Sequence, residues 1–251
     1  MTFQPFNERA RAVTAEFLAT AIFVYVGCGS VASFTANPDN NSFVGIALAF
    51  GLSITVLAYT LGHHSGGHIN PMVTIGMYIL KQIDAVTGAF YILAQLLGAV
   101  VGAAFLRMSV SGDALSGAVN SVSDNTDVGG AFVMEMVLSF LLMFVIAETA
   151  VNPKSNAGVN APIAIGLSVF MAHIVAIPYT GTSINPARSF GPAVIAGEIG
   201  GDLWLFFAAP ILGGSIAALV ARFIFGACDL PDKHSALEIG KGKTYDSDEE
   251  E

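Results

Sequence analysis

The stretch GGHINPMVTIG, residues 66–76, places an Asn-Pro pair inside a long apolar part of the chain. Proline has no backbone N–H and an asparagine side chain needs hydrogen-bond partners, so the pair is costly inside a continuous membrane helix. A second stretch, GTSINPARSFG, residues 181–191, repeats the pair 115 residues later. Because Asn is a favoured N-cap and Pro a favoured first helical residue, each pair is predicted to begin a short helix.

The composition indicates an integral membrane protein. Of the 251 residues, 54% are hydrophobic and 12% are charged, and the mean hydropathy is +0.67. A soluble domain carries about 25% charged residues. The net charge of −9 is uneven, since residues 229–251 hold eight of the 19 acidic residues. We therefore expect a lipid bilayer around residues 1–228, an acidic, disordered tail over 229–251, and no nucleic-acid partner.

Windows without charged residues locate the membrane spans, each of which needs roughly 20 apolar residues. Single spans are predicted at 17–38, 85–106, 136–147 (extended over its flanking acids) and 203–221. The windows 40–80 and 155–187 are too long for one span and too short for two. The segment from Asn70 to Leu80 would reach about 16 Å, half of a membrane core of about 30 Å. The sequence thus predicts an all-α fold with six transmembrane helices and two re-entrant half-helices.

The two halves of the chain repeat. At an offset of 115 residues, FGLS (50–53) corresponds to IGLS (165–168), and AQLLGA (94–99) corresponds to APILGG (209–214). Each half has three spans, an odd number, so the repeats over about 9–110 and 128–228 are predicted to insert with opposite orientations. The N-termini of the two half-helices should then meet near the middle of the membrane.

The distribution of basic residues predicts the orientation, because cytoplasmic loops are rich in Lys and Arg. With the N-terminus inside, eight of the ten basic residues are cytoplasmic. These are Arg9, Arg11, Lys81, Lys154, Arg222, Lys233, Lys241 and Lys243. Both termini are therefore expected in the cytoplasm, with the plasma membrane favoured over an internal one.

The motifs SGGHINPMVTIG and TGTSINPARSFGPA, with three spans and a half-helix in each repeat, resemble the aquaporin (major intrinsic protein) family, water-selective type. The resemblance covers nearly all of residues 9–228. It implies a homotetramer in which each protomer has its own pore. It also implies a pore midplane at Asn70, Pro71, Met72, Asn185, Pro186 and Ala187, and a selectivity constriction formed by Phe50, His173, Thr182 and Arg188.

The residue chemistry agrees with a pore for small neutral solutes. Two helix N-termini aimed at one point repel cations, protons included, and the Asn70 and Asn185 amides add donors for a water oxygen. Arg188 adds a fixed charge, His173 another donor, and Phe50 an apolar wall. By the same resemblance, glycerol-conducting members of the family have a different pattern, with a small residue in place of His173 and Asp where Ser189 stands. We therefore predict a passive water channel that excludes protons and ions.

Two other functions stay open from the sequence. A broader channel of the same class would also conduct glycerol, ammonia or hydrogen peroxide. A secondary transporter also uses inverted repeats and broken helices. The sequence offers no nucleophile and base pair for an enzyme, no metal-ligand spacing and no cofactor motif, so none of these is expected.

Several residues have two interpretations. Met72 stands where the family usually has Ala, and its side chain either packs behind the half-helix or narrows the midplane. Glu16 and Glu135 either hold the loops before the half-helices or couple proton movement. His63, His64 and His68 either line and pack the first loop or make permeation sensitive to pH.

Four further residues carry weaker signals. Asn40 begins a glycosylation sequon, and Ser247, followed by acids, resembles an acidophilic kinase site. Cys28 and Cys228 match no disulfide or metal pattern and are expected to act as apolar fillers.

Overall fold

The computed structural model describes residues 7–36, 42–111 and 114–228, which form helices and loops without a β-strand. Asn40 and Ser247, together with the acidic tail, lie outside these described residues. Within them, six helices are long and apolar enough to cross a membrane. They span Glu8–Thr35, Phe43–Ser65, Ala85–Ser109, Val128–Val151, Gly158–Thr180 and Gly201–Phe223. The predicted fold class is confirmed.

Eight α-helices make up the described chain. The long helices are α1 (Glu8–Thr35), α2 (Phe43–Ser65), α4 (Ala85–Ser109), α5 (Val128–Ile146), α6 (Ala161–Thr180) and α8 (Leu205–Phe223). Two short helices, α3 (Pro71–Ile79) and α7 (Pro186–Ala196), begin directly after the two asparagines of the Asn-Pro pairs. The first and last long helices of the second half are extended by a π-helical turn (Ala147–Val151) and a 3-10 turn (Gly201–Trp204).

The half-helices begin for the local reasons that the sequence indicates. Asn70 and Asn185 have extended backbones, and their side chains accept hydrogen bonds from the N–H groups of Met72 and Ala187 at 2.9 and 3.0 Å. A proline follows each cap, where a helix has no use for the missing N–H. The N-termini of the half-helices are therefore capped by contacts that are local in the sequence.

Glycines allow the long helices to pack backbone to backbone. A Cβ on Gly98 or Gly102 of α4 would meet the carbonyl oxygens of Phe17 or Ala21 in α1. In the second half, a Cβ on Gly213 of α8 would meet the carbonyl oxygen of Met136 in α5. Small residues at such positions are what lets helices associate closely within a membrane. These glycines therefore let the helix backbones approach each other closely.

We expect Gly102→Ala to destabilise the protein by about 1–3 kcal/mol, the usual effect of forcing extra volume into a packed contact. The added methyl group has no room because it faces backbone atoms of Ala21 rather than a movable side chain. Gly29→Ala in the same helix pair is the control, since its Cβ would meet only the Cδ1 atom of Leu106 at 3.5 Å. Thermal unfolding in detergent compares the two, and equal melting temperatures would contradict this packing account.

Candidate functional site

The two half-helices meet through their capping asparagines. The Nδ2 atom of Asn70 donates to the carbonyl oxygen of Ile184 at 2.8 Å, and the Nδ2 atom of Asn185 donates to the carbonyl oxygen of Ile69 at 2.9 Å. Each asparagine thus caps its own half-helix and holds the loop that precedes the other. An amide NH₂ group has two donors, so one N–H of each asparagine remains after this exchange. The sequence predicted the caps but not this reciprocal link.

The loops before the half-helices have the same unusual backbone. The first loop covers residues 66–70 and the second covers residues 181–185. Ile69 and Ile184 have φ angles of 57° and 45°, in the left-handed region. That region is unfavourable for a β-branched residue, so such a conformation persists only where the surroundings impose it. Gly66 and Gly181, at φ angles of 88° and 69°, end the preceding helices in the same region.

Glu16 of α1 imposes the first loop's conformation. Its side chain is fully buried and its two carboxyl oxygens accept four hydrogen bonds. The backbone N–H groups of His68 and Ile69 donate at 2.8 and 2.7 Å. The Ser65 hydroxyl and the Gln95 amide donate at 2.6 and 2.8 Å. Every described bond of Glu16 thus holds the loop or its neighbour in α4.

Glu135 of α5 has the matching position in the second half. It is also fully buried and accepts hydrogen bonds from the N–H groups of Ser183 and Ile184, at 2.8 and 2.7 Å, and from the Thr180 hydroxyl at 2.7 Å. These three donors lie 115 residues after their counterparts at Glu16. The geometry of both acids is that of a loop anchor, with their oxygens occupied by hydrogen bonds from the loops.

The four residues expected at the constriction lie together and are buried. The rings of Phe50 and His173 stack with centroids 4.2 Å apart and an angle of 22° between their planes. The guanidinium carbon of Arg188 lies 5.1 Å from the centre of the Phe50 ring. Thr182 sits in the second loop, two residues after the end of α6, with a φ angle of 54°.

This group has polar atoms without partners. Among the described residues, five buried side-chain polar atoms lack a hydrogen-bond partner, and three belong to His173 (Nε2), Thr182 (Oγ1) and Arg188 (Nε). Buried polar atoms are nearly always hydrogen-bonded, so three orphans within one small group indicate a place where a polar solute binds.

The role of His173 differs from the predicted one. Its Nδ1 atom lies 2.9 Å from the carbonyl oxygen of Val169, which can only accept, so Nδ1 carries the hydrogen in this contact. In a neutral ring the other nitrogen, Nε2, is then an acceptor. His173 therefore presents an acceptor to the constriction in this tautomer, rather than the donor expected from the sequence.

Two cavities approach the constriction from opposite ends. A cavity of about 230 Å³ is lined by the first loop and by Ile54 of α2 and Val169 of α6. Another of about 210 Å³ is lined by Ile46 of α2, Ile177 of α6 and Arg188. Phe50 and His173 lie one helical turn from each of these lining residues, between the two cavities. The stacked rings thus lie between the two cavities.

The three histidines of the first loop region divide into two groups. His63 and His64, at the end of α2, are exposed and their ring centroids lie 3.9 Å apart. His68 is buried, lines the larger cavity, and has its Nδ1 atom 3.1 Å from the Thr74 hydroxyl. Of these three histidines, only His68 therefore lines one of the two cavities.

Met72 points away from both cavities. Its side chain is fully buried, and a Cβ added to Gly214 in α8 would collide with its sulfur atom. At the corresponding contact of the second half, the smaller Ala187 stands opposite α4, where Ala99 takes the place of Gly214. The absence of a side chain at Gly214 thus makes room for the larger residue at 72.

We expect Gly214→Ala to destabilise the protein by about 1 kcal/mol, at the low end for overpacking because a methionine adapts its shape. The double variant Met72→Ala/Gly214→Ala should recover most of that loss, and Met72→Ala alone should leave water permeability unchanged. Melting temperatures measure the change in stability, and liposome shrinkage rates measure the water permeability. Additive destabilisation, or a changed rate for Met72→Ala, would contradict this placement of the side chain.

Sequence reasoning missed two polar residues of the site. Gln95 donates to Glu16 at 2.8 Å and to the Thr74 hydroxyl at 2.9 Å. An amide in an apolar span is itself a signal of an internal partner, so Gln95 could have been found. Asn120, in the segment between α4 and α5, bonds to both the second loop and α7. Nothing in its neighbourhood in the sequence marks that role.

Comparisons with known proteins agree with this architecture. The model of the family described as major intrinsic protein matches residues 5–221. Aquaporin-1 of Homo sapiens is 40% identical over 248 residues, which cover 95% of this chain and 91% of that protein. Aquaporin-5 of Sus scrofa is 41% identical over 245 residues, which cover 96% and 89%.

A solved structure supports the fold as well. The aquaglyceroporin from Plasmodium falciparum superposes with a TM-score of 0.78 over 89% of this chain and all of that chain, at 23% identity. Likeness at this level of identity concerns the fold alone. Together with the family match over residues 5–221 and the two relatives at 40% and 41% identity, it leads to one conclusion. This chain is a member of the major intrinsic protein family, the aquaporins.

Proposed function

We propose that this protein is a passive transmembrane channel for water that excludes protons and ions. The observation that carries the proposal is the ring of Phe50, His173, Thr182 and Arg188, which has three unpartnered polar atoms and lies between two cavities. Such a ring offers hydrogen bonds to one small solute at a time and stacks an aromatic wall against it. The relatives at about 40% identity carry the name aquaporin, which supports the same function.

Proton exclusion follows from the meeting of the half-helices. Each N-terminus carries roughly half a positive charge, and both point to the place where Asn70 and Asn185 contact the opposite loops. A water oxygen that accepts from the remaining amide N–H groups is oriented so that the chain of hydrogen bonds is interrupted. Protons would have to cross a positive potential without a continuous chain.

Water is favoured over larger solutes by the packing of the ring. Phe50 and His173 are at most 1% exposed and stack on each other, so little space remains beside Arg188. Ser189, rather than an acid, follows the arginine. Conduction of glycerol, ammonia or hydrogen peroxide is therefore the alternative, and it is less favoured.

Coupled transport finds less support. The buried acids Glu16 and Glu135 are the natural candidates for a proton site, but their oxygens accept bonds from the loops. A transporter also needs elements that move, whereas Asn70 and Asn185 link the two halves at the centre. These contacts favour a fixed pore.

The family membership supports further proposals about assembly and placement. The channel domain covers residues 1–228 as two inverted repeats, and 229–251 is an acidic cytoplasmic tail. Four copies assemble with one pore in each, and both termini face the cytoplasm of a cell whose plasma membrane holds the channel.

Stopped-flow light scattering of proteoliposomes tests the proposed function. Vesicles should shrink rapidly under an impermeant osmolyte, and a glycerol gradient should produce no faster glycerol entry than in empty vesicles. A proton or sodium gradient should leave water flux unchanged. Glycerol entry that depends on the protein would favour the broader channel, and flux coupled to either gradient would favour a transporter.

A further inference from the structure

The position of Arg188 depends on two backbone carbonyl groups. Its Nη1 atom donates to the carbonyl oxygen of Ala118 at 2.7 Å, and its Nη2 atom donates to that of Gly181 at 3.3 Å. One carbonyl belongs to the segment between α4 and α5, and the other ends α6. Any movement between these two segments would therefore move the guanidinium group within the constriction.

Asn120 links these same segments. It is 7% exposed, and its Nδ2 atom donates to the carbonyl oxygen of Thr180 at 2.8 Å. Its Oδ1 atom accepts from the hydroxyl of Ser189, also at 2.8 Å. Thr180 directly precedes Gly181, and Ser189 directly follows Arg188. The Asn120 side chain thus links three elements. These are the segment that carries Ala118, the end of α6 that leads into the second loop, and half-helix α7.

In the first half of the chain, a different residue supplies the amide that bonds to the hydroxyl of the half-helix. There the amide of Gln95 in α4 donates to the Thr74 hydroxyl, and Thr74 lies 115 residues before Ser189. The residue 115 positions after Gln95 is Pro210, which has no amide. Asn120 enters from outside the repeat and supplies the amide that α8 lacks.

The half of the chain that uses Asn120 in place of a helix amide is also the half whose half-helix carries the arginine. Val73 stands 115 residues before Arg188, so the first half-helix has no charged group to hold. For the half-helix that carries Val73, the amide is that of Gln95 in the helix bundle. For the half-helix that carries Arg188, it is that of Asn120 in the connecting segment. The connecting segment also supplies the carbonyl group of Ala118 to the guanidinium. Both contacts with the connecting segment therefore belong to the half that forms the constriction.

We propose that Asn120 is a positioning residue for selectivity, which keeps Arg188 in the constriction by fixing the segments that hold it. The inference rests on the proposed function, because it concerns which solutes the pore excludes. Asn120 lines neither of the two cavities beside the constriction. Its loss should widen the constriction for small polar solutes without closing the path for water.

The test compares urea and water permeability in proteoliposomes that contain equal amounts of protein. Asn120→Ala should raise urea permeability by about tenfold, the factor that corresponds to one or two lost hydrogen bonds, and change water permeability by less than about twofold. A variant that merely folds poorly would lower both permeabilities together, so the ratio of urea to water separates the two cases.

Asn125→Ala is the matched control. Asn125 lies in the same segment, and its Nδ2 atom also donates to a carbonyl oxygen near the end of α6, that of Pro178, at 3.2 Å. It is exposed and makes no bond to the residues beside Arg188 that Asn120 contacts. Its removal should leave the ratio at the wild-type value.

Ser189 provides a second route to the same result. Ser189→Ala removes the hydroxyl that bonds to Asn120 and to the Ser183 hydroxyl. It should raise the ratio of urea to water permeability, whereas Ser189→Thr keeps the hydroxyl and should leave the ratio at the wild-type value. Threonine is the conservative choice because it keeps the hydroxyl, and Thr74 is the residue at the equivalent position of the other half-helix. This pair decides the matter if Asn120→Ala does not fold.

The outcomes separate the two proposals. Wild-type ratios in both Asn120→Ala and Ser189→Ala, in vesicles that conduct water, would overturn the role of Asn120 and leave the water channel intact. Wild-type vesicles that fail to conduct water would overturn the proposed function itself. A raised ratio in the variants, with Asn125→Ala unchanged, is the expected result.

Discussion

His173→Gly should convert a water-selective pore into one that also passes urea and glycerol. The imidazole ring is buried between the two cavities, where it stacks on Phe50 with a centroid distance of 4.2 Å. Its removal deletes a wall of the constriction and leaves Phe50 without the ring that it packs against. Since one methylene group in a tight pocket already changes discrimination by about tenfold or more, loss of a whole ring should raise urea and glycerol permeability at least that much.

The control for this variant lies on the same helix. Met171→Gly introduces the same flexible residue into α6, but its side chain is 47% exposed on the outer surface of the bundle. The low helix propensity of glycine should lower the stability of this variant by about 1 kcal/mol, and its selectivity should stay unchanged. Stopped-flow measurements with water, urea and glycerol compare the two variants. Urea and glycerol permeabilities at the wild-type level in His173→Gly would remove this residue from the constriction.

Glu16→Leu should abolish the folded channel, with a smaller but still severe effect for Glu135→Leu. Leucine at position 16 leaves the buried N–H groups of His68 and Ile69 without acceptors, which costs about 1–3 kcal/mol for each group. It also frees the Ser65 and Gln95 side chains. Glu135 has three described donors rather than four, so its loss should cost less.

Glu16→Gln separates the loop anchor from a proton site. The amide keeps one acceptor oxygen but turns an NH₂ group towards the loop, so the melting temperature should fall part of the way. Glu148→Gln is the control, because Glu148 lies at the end of α5 and its described bond is to Asn152 rather than to either loop. Intact melting temperatures with altered proton-dependent flux would favour the transporter and contradict the anchor.

Local chemistry made much of this fold predictable. The spans follow from apolar windows, and the half-helices follow from Asn70 and Asn185, because a cap and a proline act on the next few residues alone. Each of these inferences needs only the residues nearby in the sequence.

The remaining features depend on which surfaces meet in three dimensions. Ile69 and Ile184 adopt left-handed backbones that β-branched residues avoid. The buried acids and the asparagine of the opposite half-helix hold them in that conformation across the fold. The acceptor role of His173 depends on the carbonyl group of Val169. Asn120 acts from a connecting segment whose composition indicates only a surface turn. A single sequence does not contain these distances.

The activation energy for water permeation is the most direct test of the central claim, which is that a continuous pore lets water pass without partition into lipid. Shrinkage rates of proteoliposomes, measured between low and high temperature, should rise only weakly, as for diffusion in water. The rates in empty vesicles should rise steeply. A steep temperature dependence that matches empty vesicles, with the protein folded and inserted, would contradict the account.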